Sequence, residues 1–115
     1  MKIAPCTAMG GTKIDGTHWQ GLDEIAETAR NGDGLKSLVG PPLMHGAAQW
    51  SGHTFMTLGG TLVFPSEVKK LDPADFWSTV EREKVTGITI VGDAFARPLL
   101  DELERGDFDV SSMIM

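Results

Sequence analysis

A single cysteine, Cys6, is present in 115 residues. One thiol excludes an intrachain disulfide and suits a reducing compartment. No apolar run approaches the roughly 18–20 residues needed to cross a bilayer. Nothing apolar precedes Cys6 in Met1-Lys2-Ile3-Ala4-Pro5 long enough to serve as a signal peptide, so the chain reads as cytoplasmic. Basic charge is scarce as well: 10 Lys and Arg stand against 16 Asp and Glu, a net charge of −6. Such a chain gains nothing from counterion release on nucleic acid, and it has no basic patch for anionic lipid.

Familiar chemical signatures are also missing. Gly10-Gly11-Thr12-Lys13 has the residue types of a phosphate loop but not its spacing, and no strand precedes it. There is no dinucleotide-type glycine fingerprint, and no nucleophile elbow. The histidines are His18, His45 and His53. His45 and His53 lie two helical turns apart, but no carboxylate or cysteine stands close in sequence, so no metal site is expected.

What remains is an alternation of short elements. Composition is that of an ordinary globular domain, with 41% hydrophobic and 23% charged residues, and the length allows one domain at most. Residues 1–19 read as a loop or a truncated end, and residues 20–115 as the structured part. Leu22, Ile25, Ala26 and Ala29 repeat at helical spacing over 20–31, and Gly32-Asp33-Gly34 stops them. A buried strand is expected to end near Val39, before Pro41-Pro42. His45–Leu58 is long enough for about four helical turns, although Gly46 and Gly52 weaken it. Thr61–Phe64 reads as a strand bounded by Pro65.

Asp72–Lys84 carries the strongest helix signals. Asp72 suits an N-cap, Pro73 the first helical position, and Phe76, Trp77 and Val80 one apolar face. Gly87–Val91 is β-branched and apolar, as expected of a strand covered on both faces. A helix over Ala94–Arg105 follows, with Asp93 as its N-cap and Pro98 implying a kink or restart. Asp109–Met115 reads as a turn and the start of another strand. The class is therefore α/β, parallel βαβαβα layers with helices packed on the sheet. A sheet of three or four parallel strands leaves edges and faces thinly covered, and the closing Met113-Ile114-Met115 is apolar. Both features suit a partial domain.

A resemblance lies in the ordered set of short motifs. Pro41-Pro42-Leu43-Met44-His45-Gly46 resembles the Pro-x-x-His-Gly segment of the adenylate-forming superfamily, which includes acyl-CoA synthetases and luciferases. Gly59-Gly60-Thr61-Leu62-Val63, the Asp72-Pro73 helix with Trp77 and Glu81, Thr89–Leu99 and Asp109-Val110-Ser111-Ser112-Met113 follow in the same order as similar segments of fatty-acyl-CoA synthetase-like members. The resemblance covers about residues 20–115 and implies part of the N-terminal domain of an AMP-forming acid–CoA ligase. Such an enzyme joins a carboxylic acid to AMP, releasing pyrophosphate, and then to CoA, using ATP and Mg. The family's phosphate loop, magnesium-binding pair, ribose-binding aspartate and C-terminal lysine domain have no counterpart here, so no catalytic residue is expected and the chain alone is expected to be inactive. What the resemblance carries over is an acyl-side wall: His45, Gly46, Ala47, Trp50 and Ser51. Ala47 is small where some relatives carry an aromatic residue, which implies room for a bulkier acid. Two other readings stay open, a small non-catalytic α/β module that binds an apolar acid and an inactive gene remnant.

Overall fold

The computed structural model describes residues 17–31 and 35–114. Cys6, the Gly10–Lys13 stretch and the Gly32-Asp33-Gly34 stop lie outside them. Among the described residues four helices and three strands alternate: α1 (Leu22–Arg30), β1 (Lys36–Val39), α2 (Gly46–Thr57), β2 (Thr61–Val63), α3 (Pro73–Glu83), β3 (Gly87–Thr89) and α4 (Asp93–Arg105). The strands form one parallel sheet in the order β2-β1-β3, with Leu38 opposite both Val63 and Ile88.

Side-chain alternation along β1 sorts the helices to two faces. Leu38 and its neighbour Val63 pack with Phe76, Trp77 and Val80 of α3 and Leu99 of α4. Ser37 and its neighbour Leu62 point the other way, where Leu62 lies against Gly52 of α2. The Phe76 and Trp77 rings meet edge to face, with centroids 5.3 Å apart and planes at 81°. That layer is the main core, and it follows the apolar face expected of α3.

The α3 start behaves as its sequence implies. Asp72 Oδ1 accepts from Asp75 N at 3.1 Å, and Pro73 occupies the first turn. Its end is less usual, because Lys84 adopts the left-handed conformation, with φ 53. Lys84 Nζ donates to Asp109 Oδ2 at 2.7 Å and ties this corner to the segment after α4. That bond, helped by Ser111, holds the Asp109 carboxyl below its ordinary range, and the same bond raises the Lys84 ammonium above its usual 10.5.

Several details depart from the sequence reading. The apolar stripe of α1 is not a buried face, since none of its residues is buried and Leu22 is 82% exposed. β3 is not covered on both faces: Ile88, Thr89 and Ile90 are half-buried and Val91 is 49% exposed. The reason is that α2 lies mainly over β1 and β2. Gly92, not Asp93, caps α4. Its φ of 70 suits glycine, and its carbonyl accepts from Phe95 N and Ala96 N, both at 3.1 Å. Asp93 is the first helical residue, and α4 continues through Pro98 without restarting. Finally, Asp109–Ile114 forms no strand. Ser112 Oγ donates to Val85 O at 2.8 Å and Ile114 N to Thr86 O at 2.9 Å, both just before β3.

Candidate functional site

β1 lies between β2 and β3, so the connection from β1 to β2 and the one from β2 to β3 run in opposite directions across the sheet. In open parallel sheets, ligands collect beyond the carboxyl ends of the strands where the order reverses. Here that point is the gap between the ends of β1 and β3. Gly40 N donates to Thr89 O at 2.9 Å, and a Cβ on Gly40 would itself stand 2.9 Å from that oxygen. Only glycine lets the two strand tips come this close.

Beyond Gly40 the chain turns sharply, with His45 N donating to Pro42 O at 2.9 Å. His45 is the N-cap of α2, with extended backbone and no capping bond from its imidazole, and the residue is exposed. Gly46 opens the helix under the Trp50 indole, whose nearest atom would be 3.5 Å from a Cβ there. Trp50 is 55% exposed, which rules out simple core packing. Ala47 and Ser51 form the next i, i+4 pair, both half-buried, and Ser51 Oγ donates to Ala48 O at 3.2 Å. The five expected residues thus share the first turns of α2 as two neighbouring stripes. His18 and His53 are both exposed.

An open cleft of about 380 Å³ lies at the same carboxyl edge. Val39, Pro41 and Phe76 contribute to it, with Phe64, Leu71 and Phe95 from the segments after β2 and β3. Of the histidine motif, only Pro41, Pro42 and Leu43 reach it. The His45, Gly46, Ala47, Trp50 and Ser51 set does not line it. Leu43 also borders a second hollow of about 370 Å³ between α2 and β2, which His53 and Met56 line. The 64–72 loop is a further wall of the cleft. Its one signal is the Lys69-Lys70 pair, set between an apolar strand and the Asp72 cap.

No family model matches the chain. Over 108 residues, 93% of its length, it is 49% identical to the medium-chain acyl-CoA ligase Mig of Mycobacterium avium. The chain is homologous to a segment of the acyl-CoA ligases. It is also 34% identical over 84 residues to a 3-oxocholest-4-en-26-oate–CoA ligase of Rhodococcus rhodochrous. A medium/long-chain-fatty-acid–CoA/3-oxocholest-4-en-26-oate–CoA ligase of Mycobacterium tuberculosis (strain ATCC 25618 / H37Rv) is 37% identical over 76 residues. The chain spans 20%, 15% and 13% of these three relatives. Among the described residues of this acyl-CoA ligase homologue, no helix is long and apolar enough to cross a membrane.

Proposed function

We propose that the chain supplies the acid-binding side of an AMP-forming acid–CoA ligase that works in the cytoplasm on a fatty or related apolar acid. The observation that carries this reading is the position of the Pro41–Gly46 turn. It leaves the carboxyl end of β1 at the point where the strand order reverses. His45 and Gly46 are then the residues closest to the acid's reacting end, while Ala47, Trp50 and Ser51 bound its apolar body. The Trp50 ring over Gly46 gives that wall an apolar surface already facing outward.

ATP, Mg and CoA belong to the longer enzymes. In such an enzyme the role of this segment is to bind and orient the acid.

A chimera tests the proposal. The matching segment of the Mycobacterium avium ligase is replaced by these residues, and thioester formation is followed with acids of different bulk. An active chimera whose His45→Ala variant loses roughly 10²-fold in kcat/KM, the scale of a misplaced reactant, supports the reading. Ala47→Phe should shift preference toward slimmer acids. Unchanged activity in His45→Ala together with unchanged selectivity in Ala47→Phe would remove the assignment. The 115-residue chain alone should give no ATP–pyrophosphate exchange with any carboxylic acid, and exchange above a His45→Ala control would contradict this division of labour.

A further inference from the structure

Glycine in the middle of α2 weakens the helix relative to alanine. The surroundings of Gly52 show what it permits. Gly52 is buried where α2 lies over β2. A Cβ at this position would stand 3.3 Å from Leu62 Cδ1, and 3.9 Å from both Leu62 Cδ2 and Leu43 Cδ2. The first distance is tighter than ordinary carbon contact, so one partner has to give by a few tenths of an ångström. Both δ carbons of Leu62 stand against Gly52, and Leu43 does so as well, so turning one methyl aside does not empty the space. Leu43 links this contact to the acid-binding wall. It lies inside the turn that His45 N closes on Pro42 O at 2.9 Å. Helix, strand and turn therefore meet at one residue that has no side chain.

We infer that Gly52 is a positioning residue. Its missing side chain lets α2 sit down on Leu62, and that seating sets where His45, Ala47 and Trp50 stand relative to the strand tips. The consequence for catalysis rests on the acid-binding reading; the seating itself does not. Gly52 acts through α2 and Leu43 rather than by touching the acid. Gly52→Ala gains helix propensity and loses the close approach, so stability stays near that of the parent while the wall moves outward. A displacement of roughly 1 Å costs on the order of 10²-fold in a positioned reaction, so a few tenths should cost about fivefold.

The test is a cycle of Gly52→Ala, Leu62→Val and the two together. Valine suits a strand and lacks δ carbons, so it removes the 3.3 Å contact. In the 115-residue chain, Gly52→Ala should shift the backbone amides of residues 42–47, and adding Leu62→Val should return them toward the parent positions. In the chimera with the Mycobacterium avium ligase, Gly52→Ala should lower kcat/KM for the acid about fivefold, chiefly through KM, and leave the KM values for ATP and CoA unchanged. The double variant should recover to within about twofold of Leu62→Val alone. A merely structural role has the opposite signature: Leu62→Val trims the packing further, so the double variant would be worse than either single one. Additive effects overturn the inference, as do KM changes shared by all three substrates. Amide shifts decide where the chimera lacks turnover, and kinetics decide where the free chain lacks a dispersed spectrum. An undispersed chain together with an inactive chimera also overturns it, because no seated α2 is then formed. Shifts that revert in the double variant, beside unchanged activity in His45→Ala, would remove the ligase reading and keep the seating.

Discussion

Trp77 Nε1 donates to the backbone carbonyl of Leu99 at 2.7 Å, and both residues are buried. The bond joins α3 to α4 beneath the sheet, next to Pro98. It explains why a large aromatic with a polar nitrogen is accepted in the core. Trp77→Phe removes the donor and part of the ring while keeping an aromatic face. It should cost about 1–3 kcal/mol, and Trp77→Ala about 3–5 kcal/mol. Urea melts of the three proteins check the order. Equal midpoints for Trp77→Phe and the parent would show that the bond contributes nothing.

Ser37 offers the opposite case. Its hydroxyl oxygen is buried in β1, on the face turned to α2, with no hydrogen-bond partner. A buried unpaired polar group costs about 1–3 kcal/mol. Ser37→Ala should therefore leave stability unchanged or raise it by about 1 kcal/mol. A clear fall in the thermal midpoint would mean that the hydroxyl has a partner in solution.

Gly59 is held by both its backbone and its surroundings. Its φ is 77, and a Cβ there would run into the Ala29 carbonyl oxygen while standing 3.0 Å from Ala29 Cα. Gly59→Ala should cost about 2 kcal/mol or more, through left-handed strain and displacement of α1. Amide exchange gives a specific signature: protection of α1 should fall before that of α3. Uniform loss across both helices would argue against a local contact.

The Lys84–Asp109 pair makes a pH-dependent contribution. A carboxyl held below its ordinary range favours the folded state above the unfolded value, near pH 3.9, and loses that effect as pH falls below it. The raised Lys84 acts at the other end, so its contribution is present below 10.5 and lost as pH rises through the raised value. Both side chains are solvent-exposed, so the effect is small and weakened by salt. The Tm difference between the parent and Asp109→Asn should be constant from about pH 5 to 9 and shrink below about pH 4. A difference that stays constant down to pH 2 would assign it to packing rather than charge.

Much of this architecture was legible because local rules and tertiary demands agree. In α3 the Asp72 cap, Pro73 and the Phe76–Trp77–Val80 stripe all indicate one helix and one buried face, and the fold uses that face. Where they conflict, the sequence misleads. Leu22 and Ile25 give α1 a regular apolar stripe, yet Leu22 meets solvent because little of the described chain lies over it. Gly87–Val91 reads as fully covered, but coverage depends on where α2 falls across the sheet, and no pattern within those residues states that. At the site, the Pro41–Gly46 turn was legible as a loop leaving a strand tip. The cleft was not, since Phe64, Leu71, Phe76 and Phe95 come together only when α3 and α4 fold under the sheet.

Parallel strands of three or four residues have a consequence for handling the molecule. Beside β2, no strand among the described residues pairs with the outer side of Thr61-Leu62-Val63. So brief a stretch offers another copy few backbone bonds, which limits growth into fibrils even though the border is open. Any clumping during purification should instead track the exposed greasy residues Met44, Trp50 and Met56 and respond to mild detergent rather than to agents that break β-stacking.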